Sequence, residues 1–184
     1  AGAPMKSTPR EELQAASVMF HLAGVNKAAF LDGIRENPST YASWSSGEWQ
    51  IETSGKEDEM YSPYLGKPFD QARAEGLIPA DLDTIAGTWG AVHDSGELTY
   101  MNLVHLAGVD GTDPDSLTEF EIEGRRQAML AIDALRTYTP GCEGVRLRNF
   151  GMSIGVRDTR KIDAIYSMTE SDVREQGRFE DSVG

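Results

Sequence analysis

The sequence predicts an α+β fold, and three stretches carry that expectation. Residues 84–109 read as two β-rich runs around Asp94-Ser95-Gly96-Glu97, where Ser-Gly suits the tight turn of a hairpin. Residues 15–25 set Val18, Phe20 and Leu22 against Ser17, Met19 and His21, the two-residue period of a strand with one strongly apolar face. Farther on, Leu117, Phe120, Gly124, Ala128, Ala131 and Leu135 recur at three-and-four spacing, the stripe of an amphipathic helix. With 184 residues, 39% of them hydrophobic, the chain is long enough for one real core, and a single domain over residues 1–184 is the simplest division.

In chain order, residues 1–12 are polar, carry Pro4 and Pro9, and are expected as a lead-in loop before the strand at 15–25. Asn26 is placed to cap a short helix with Ala29, Phe30 and Ile34 on one side, stopped by Asn37-Pro38. Residues 47–53 suit a short strand. Gly66-Lys67-Pro68 sets proline at the first helical position of a helix running to Glu75, with Gly76 as its stop.

If Ser95 and Gly96 form the hairpin loop, Trp89 faces Asn102 across the ladder. Apolar side chains on both parities of the second run (Leu98, Val104, Leu106 against Met101, Leu103, Val109) predict a central strand covered on both faces. Ser116 or Thr118 is expected to cap the long helix, since each is followed by a glutamate three residues later, and Thr139-Pro140-Gly141 ends it. Gly124 within the stripe implies close approach of another backbone. Residues 145–150 are expected as a strand, and Thr169 with Asp172 caps a short final helix that stops at Gly177.

Thirty acidic against seventeen basic side chains give a formal charge of -13, which argues against nucleic acid and anionic membranes as partners. One cysteine, Cys142, excludes an intrachain disulfide and fits a reducing, cytoplasmic setting. No apolar run reaches the length a bilayer needs. The opening Ala-Gly-Ala-Pro, without an initiator Met, is expected to have been cut from a larger chain.

Chemistry-bearing patterns are few. Gly151-Met152-Ser153-Ile154-Gly155 matches a nucleophile elbow, but all three histidines (His21, His93, His105) precede Ser153, and residues 156–162 lack an apolar helical face. The match is read as chance. No metal site is expected, because the histidines have no ligand spacing; on the register above, His93 and His105 lie roughly 23 Å apart at strand rise. No G-x-G-x-x-G or Walker pattern occurs among the nineteen glycines, so the chain has no nucleotide phosphate cradle. Residues 150–166 hold the densest fixed positive charge. Arg157 and Arg160 either form ordinary surface pairs with Asp158 and Asp163, worth about 0 to 1 kcal/mol, or point at an electron-rich ligand. Gly151 and Gly155 remove side chains on either side of Ile154, which lets something approach the backbone. On the residues alone the two readings stand even.

The run Gly155-Val156-Arg157-Asp158-Thr159-Arg160-Lys161-Ile162, followed by Tyr166, Thr169, Asp172 and Val173, resembles the signature of a family of FAD-dependent oxidoreductases. Asp110-Gly111-Thr112-Asp113-Pro114, Glu121-Ile122-Glu123-Gly124-Arg125-Arg126-Gln127 and Pro140-Gly141-Cys142-Glu143 are similar to the family's long helix and the turns at its two ends. The likeness covers nearly the whole chain. It implies a mostly antiparallel sheet flanked by helices, the substrate domain inserted in a flavoprotein, with the FAD-binding domain as its partner and a small molecule as substrate. It implies hydride transfer from a small polar substrate to FAD by the larger protein, with this chain inactive alone.

By resemblance Arg157 and Gly155 fall on the cofactor side, and Asn102 and Arg160 on the substrate side. Val104, His105, Cys142 and Ala164-Ile165 depart from the family's pattern. His105 is a candidate general base on chemistry, its ordinary pKa lying near neutrality. Asn102 and His105 are three apart, so on a regular strand they point to opposite faces unless a bulge intervenes. The rival reading is an acidic α+β binding module without chemistry.

Overall fold

The computed structural model describes residues 2–36, 41–42, 48–49 and 64–181. Its centre is a five-stranded antiparallel sheet in the order β5 (Tyr64–Leu65), β6 (Ile85–Thr88), β7 (Glu97–Leu106), β2 (Ala16–Ala23) and β8 (Arg146–Phe150). Two two-stranded ribbons accompany it: β1 (Met5–Ser7) with β9 (Arg160–Ile162), and β3 (Tyr41–Ala42) with β4 (Glu48–Trp49). The helices are α1 (Lys27–Glu36), α2 (Lys67–Ala74), α3 (Pro114–Tyr138) and α4 (Glu170–Arg174). The class is therefore the expected α+β, with a mostly antiparallel sheet.

Local signals explain most boundaries. Asn26 caps α1, its side-chain oxygen accepting from Ala29 N at 3.2 Å. Pro68 lies in the first turn of α2, and Gly76 follows it at φ 78°. Thr169 and Asp172 form a reciprocal capping box at α4. The predicted stop at Asn37-Pro38 and most of the strand at 47–53 lie outside the described residues.

Four expectations change. The lead-in is no loop: its residues 5–7 pair with β9, and because both strands are exposed throughout, no apolar alternation marked them. The hairpin loop has three residues, Asp94, Ser95 and Gly96, with Gly96 at φ 80°. Gly96 N donates to His93 O at 2.9 Å, and His93 N donates to Glu97 O at 2.8 Å. Thr88, not Trp89, then faces Asn102. The α3 cap is Asp113, accepting from Asp115 N at 3.1 Å with Pro114 at the first helical position, while Ser116 accepts from Asp110 N at 3.1 Å. Finally, β7 is central, but Met101 joins Leu98, Val104 and Leu106 on one face instead of standing opposite them.

That last point follows from register. Ladder partners share a face, and β2 sets Ala16, Val18, Phe20 and Leu22 against Leu106, Val104, Met101 and Leu98. Between Leu98 and Met101, and again between Met101 and Val104, β7 takes three steps to two on β2, so it carries two bulges. All eight residues lie on one face and are buried. Helix α3 packs over this face at Gly124, where a Cβ would stand 2.3 Å from Val18 Cγ2 and 2.8 Å from Leu106 Cδ1. The close approach that Gly124 permits is thus by side chains of the sheet. Burying Phe20, Leu22, Leu98 and Met101 stabilises by roughly 1.5–3 kcal/mol each.

Candidate functional site

The second bulge of β7 decides the geometry of the opposite, open face. It places His105 across from Ser17, with Asn102 on the same side near the guanidinium of Arg157. Arg157 gets there because the chain does not leave the sheet after β8. Gly151 N donates to Met19 O at 2.8 Å, Gly155 N donates to Ser17 O at 2.8 Å, and Ser17 N donates to Gly155 O at 3.1 Å. Ile154 is buried between these points, its N donating to Glu121 Oε2 at 2.7 Å. What approaches Gly151 and Gly155 is the backbone of β2 itself. Gly155 is exposed, with its amide and carbonyl both committed to Ser17.

Arg157 donates through Nη1 to Ala15 O, and through Nη2 to Ser17 Oγ at 2.5 Å and Asn102 Oδ1 at 3.4 Å. These acceptors are a carbonyl, a hydroxyl and an amide oxygen, so they orient the guanidinium without neutralising it. Neither expected acidic partner is used. Asp158 takes Lys161 at 3.1 Å and Thr8 at 3.3 Å, with its carboxyl held below the usual range chiefly by Lys161, while Asp163 takes Lys6 at 2.5 Å. Because a guanidinium only donates, it fixes the Asn102 amide with Oδ1 inward and leaves Nδ2 as a donor for another group.

The half-buried His105 has Nε2 3.1 Å from Ala86 O. A carbonyl only accepts, so Nε2 carries the hydrogen and Nδ1 keeps the basic lone pair. Burial first, and the Arg157 charge second, push the imidazole pKa below its ordinary 6.5, against the opposing pull of the Ala86 bond. The site therefore presents a neutral base, an amide donor and, among the described residues, a positive charge without an acidic partner, on one face of a sheet.

Other sequence candidates lie apart from it. Arg160 is exposed on β9 opposite Ser7, where its charge contributes to holding the Asp110 carboxyl low, behind the stronger hydrogen bonds from Thr112. Ser153 is exposed between β8 and the Gly155 bridge, with no helix directly following it. Cys142 is buried and its thiol is pushed up to about 12, mainly by desolvation. Among the described residues no group of three His, Cys, Asp or Glu side chains is placed to hold a metal. A cleft of about 250 Å³ between α1, α2 and the end of α3, with Phe30, Ile34, Lys67 and Tyr138 in its wall, includes none of the cluster.

Sequence reading missed Ser17, which joins Arg157 to β2, and Tyr100, which stands on the same open face. The signal for Ser17 was present: it is a polar residue at the phase of the strand opposite Val18, Phe20 and Leu22. No described helix is long and apolar enough to cross a membrane.

Neither the curated proteins nor the solved structures include a significant match to this chain. The profile of the family described as FAD dependent oxidoreductase matches residues 1–184, and the chain belongs to that family.

Proposed function

We propose that this chain is the substrate-binding, flavin-covering domain of an FAD-dependent oxidoreductase, and that the enzyme moves a hydride from a small polar substrate to the flavin. The observation that carries the reading is the Arg157 guanidinium, without an acidic partner among the described residues, fixed beside Asn102 and His105 on the open face of the sheet. These residues suit the ring end of a flavin or an oxygen-rich substrate held against it. The phosphate end finds no cradle, since no glycine fingerprint occurs in the sequence. The nucleotide-binding unit is then a separate domain of a larger flavoprotein. Exposed apolar side chains on the β1–β9 ribbon and beyond (Met5, Ile162, Ile165, Met168, Val173) support a surface that such a domain covers.

FAD, when bound, supplies the two-electron acceptor. The chain supplies the rest. His105 Nδ1 takes the hydroxyl proton of the substrate, Asn102 Nδ2 donates to a substrate oxygen, and Arg157 holds a fixed positive charge where negative charge grows.

The test needs no substrate. In the flavin-loaded enzyme, Arg157→Ala lowers the flavin midpoint potential by on the order of 30 mV, equivalent to about 1.4 kcal/mol for two electrons, as read by spectroelectrochemistry. An unchanged potential together with unchanged flavin retention would return Arg157 to a purely structural role and sink the reading.

A further inference from the structure

The sequence pairs Glu121 with Thr118 as a capping box, but α3 is capped at Asp113, and Thr118 Oγ1 donates to Pro114 O at 2.8 Å. The Glu121 carboxylate instead reaches the loop that precedes Arg157. Between Gly151, bonded to Met19, and Gly155, bonded to Ser17, the chain takes four steps while β2 takes two, so the ladder alone does not fix its path. Met152 and Ser153 are exposed. Ile154 is anchored twice, because its side chain is buried against the core and its N donates to Glu121 Oε2 at 2.7 Å. Gly155 exchanges both of its backbone bonds with Ser17, so the amide one residue earlier points away from β2 and is met by α3. A carboxylate acceptor makes that bond a strong one.

The carboxylate is itself held in place. Glu121 Oε1 accepts from Arg125 Nε at 3.1 Å and from Arg125 Nη2, and the Arg125 guanidinium lies 4.8 Å over the Phe150 ring at the end of β8. One turn of α3 thus brackets the slack stretch at Phe150 and at Ile154. The turn leading into α3 touches the other side of Arg157, since a Cβ on Gly111 would stand 2.7 Å from Val156 Cγ1 and 2.7 Å from Thr159 Cγ2. Arg157 therefore sits between segments that α3 and its lead-in fix, while its guanidinium binds Ala15 O and Ser17 Oγ.

Resting on the reading of Arg157 given above, we propose that Glu121 is a positioning residue for Arg157, its bond to the Ile154 amide setting where the guanidinium stands against flavin and substrate. Charge alone would have the opposite effect. Removing a carboxylate favours the reduced, more negative flavin and raises its potential, whereas a misplaced Arg157 lowers it.

Spectroelectrochemistry of the flavin-loaded enzyme separates the two, because a potential is read from folded, flavin-bearing molecules and is not moved by a loss of stability alone. Glu121→Ala lowers the midpoint potential in the direction of Arg157→Ala and by no more than that variant. Glu121→Gln keeps a side-chain oxygen for the Ile154 amide and stays near the unsubstituted enzyme. In the Arg157→Ala background, Glu121→Ala adds no further fall. Should Glu121→Ala not fold, Glu121→Asp carries the test: it keeps the charge, stops one methylene short of the amide, and lowers the potential.

If Arg157→Ala lowers the potential while Glu121→Ala and Glu121→Asp leave it in place, the positioning role is overturned and the Arg157 reading survives. A rise with Glu121→Ala, a fall as large with Glu121→Gln as with Glu121→Ala, or an undiminished fall in the Arg157→Ala background likewise overturns it, since each gives Glu121 a route to the flavin other than the place of Arg157. If Arg157→Ala itself moves neither potential nor flavin retention, the Arg157 reading fails and the proposal fails with it.

Discussion

Arg157 is held by a carbonyl, a hydroxyl and an amide oxygen, none of them acidic, and its charge acts on His105. A base that works in its neutral form becomes active as pH rises through its pKa. Since the folded pKa lies below 6.5, kcat/KM in the flavin-loaded enzyme should rise on the acid side with its midpoint below pH 6.5. Arg157→Gln removes the second cause of the depression and leaves burial, the first. Its acid limb should therefore move toward pH 6.5 without passing it, and a limb that stays in place would show that the two groups do not communicate. The sequence showed both residues as candidates but not their relation, because Asn102 and His105 are out of phase on a regular strand.

The element that resolves this is β7. Its two bulges place Leu98, Met101, Val104 and Leu106 on one face and bring His105 and Asn102 together on the other. Period-two counting fails there because each bulge resets the phase, which is why Met101, counted with the opposite parity, shares a face with Leu98, Val104 and Leu106. Against that face, α3 depends on Gly124. Gly124→Ala would gain about 1 kcal/mol of helix propensity but overpack Val18 and Leu106 at a cost of about 1–3 kcal/mol, so urea unfolding should show a net loss of roughly 1 kcal/mol. Val18→Ala in the same chain should recover part of that loss, as a double-mutant cycle measures. Strict additivity of the two substitutions would contradict the packing account.

For the molecule as a whole, residues 160–181 have defined structure yet bury almost nothing. Local devices hold them: the Thr169–Asp172 box, Tyr166 Oη donating to Asp172 Oδ2 at 2.6 Å, and the Tyr166–Phe179 ring contact at 5.4 Å. If this surface is the seat of the FAD-binding domain, Ile165→Lys with Met168→Lys should leave the unfolding free energy of the chain within about 0.5 kcal/mol. The same pair should release flavin or the partner domain from the larger enzyme, by absorbance and gel filtration. Full flavin retention would move the interface elsewhere.

The amino-acid sequence by itself determined the family, the α+β class, the caps of α1 and α4, and the helical stripe of α3, because period, capping chemistry and motif are local and survive without a partner. Only the tertiary structure decided which charges meet. Bulges, the β1–β9 pairing and the contacts of Arg157 with Ala15, Ser17 and Asn102 depend on hydrogen bonds between residues far apart in the chain, and no local pattern encodes those.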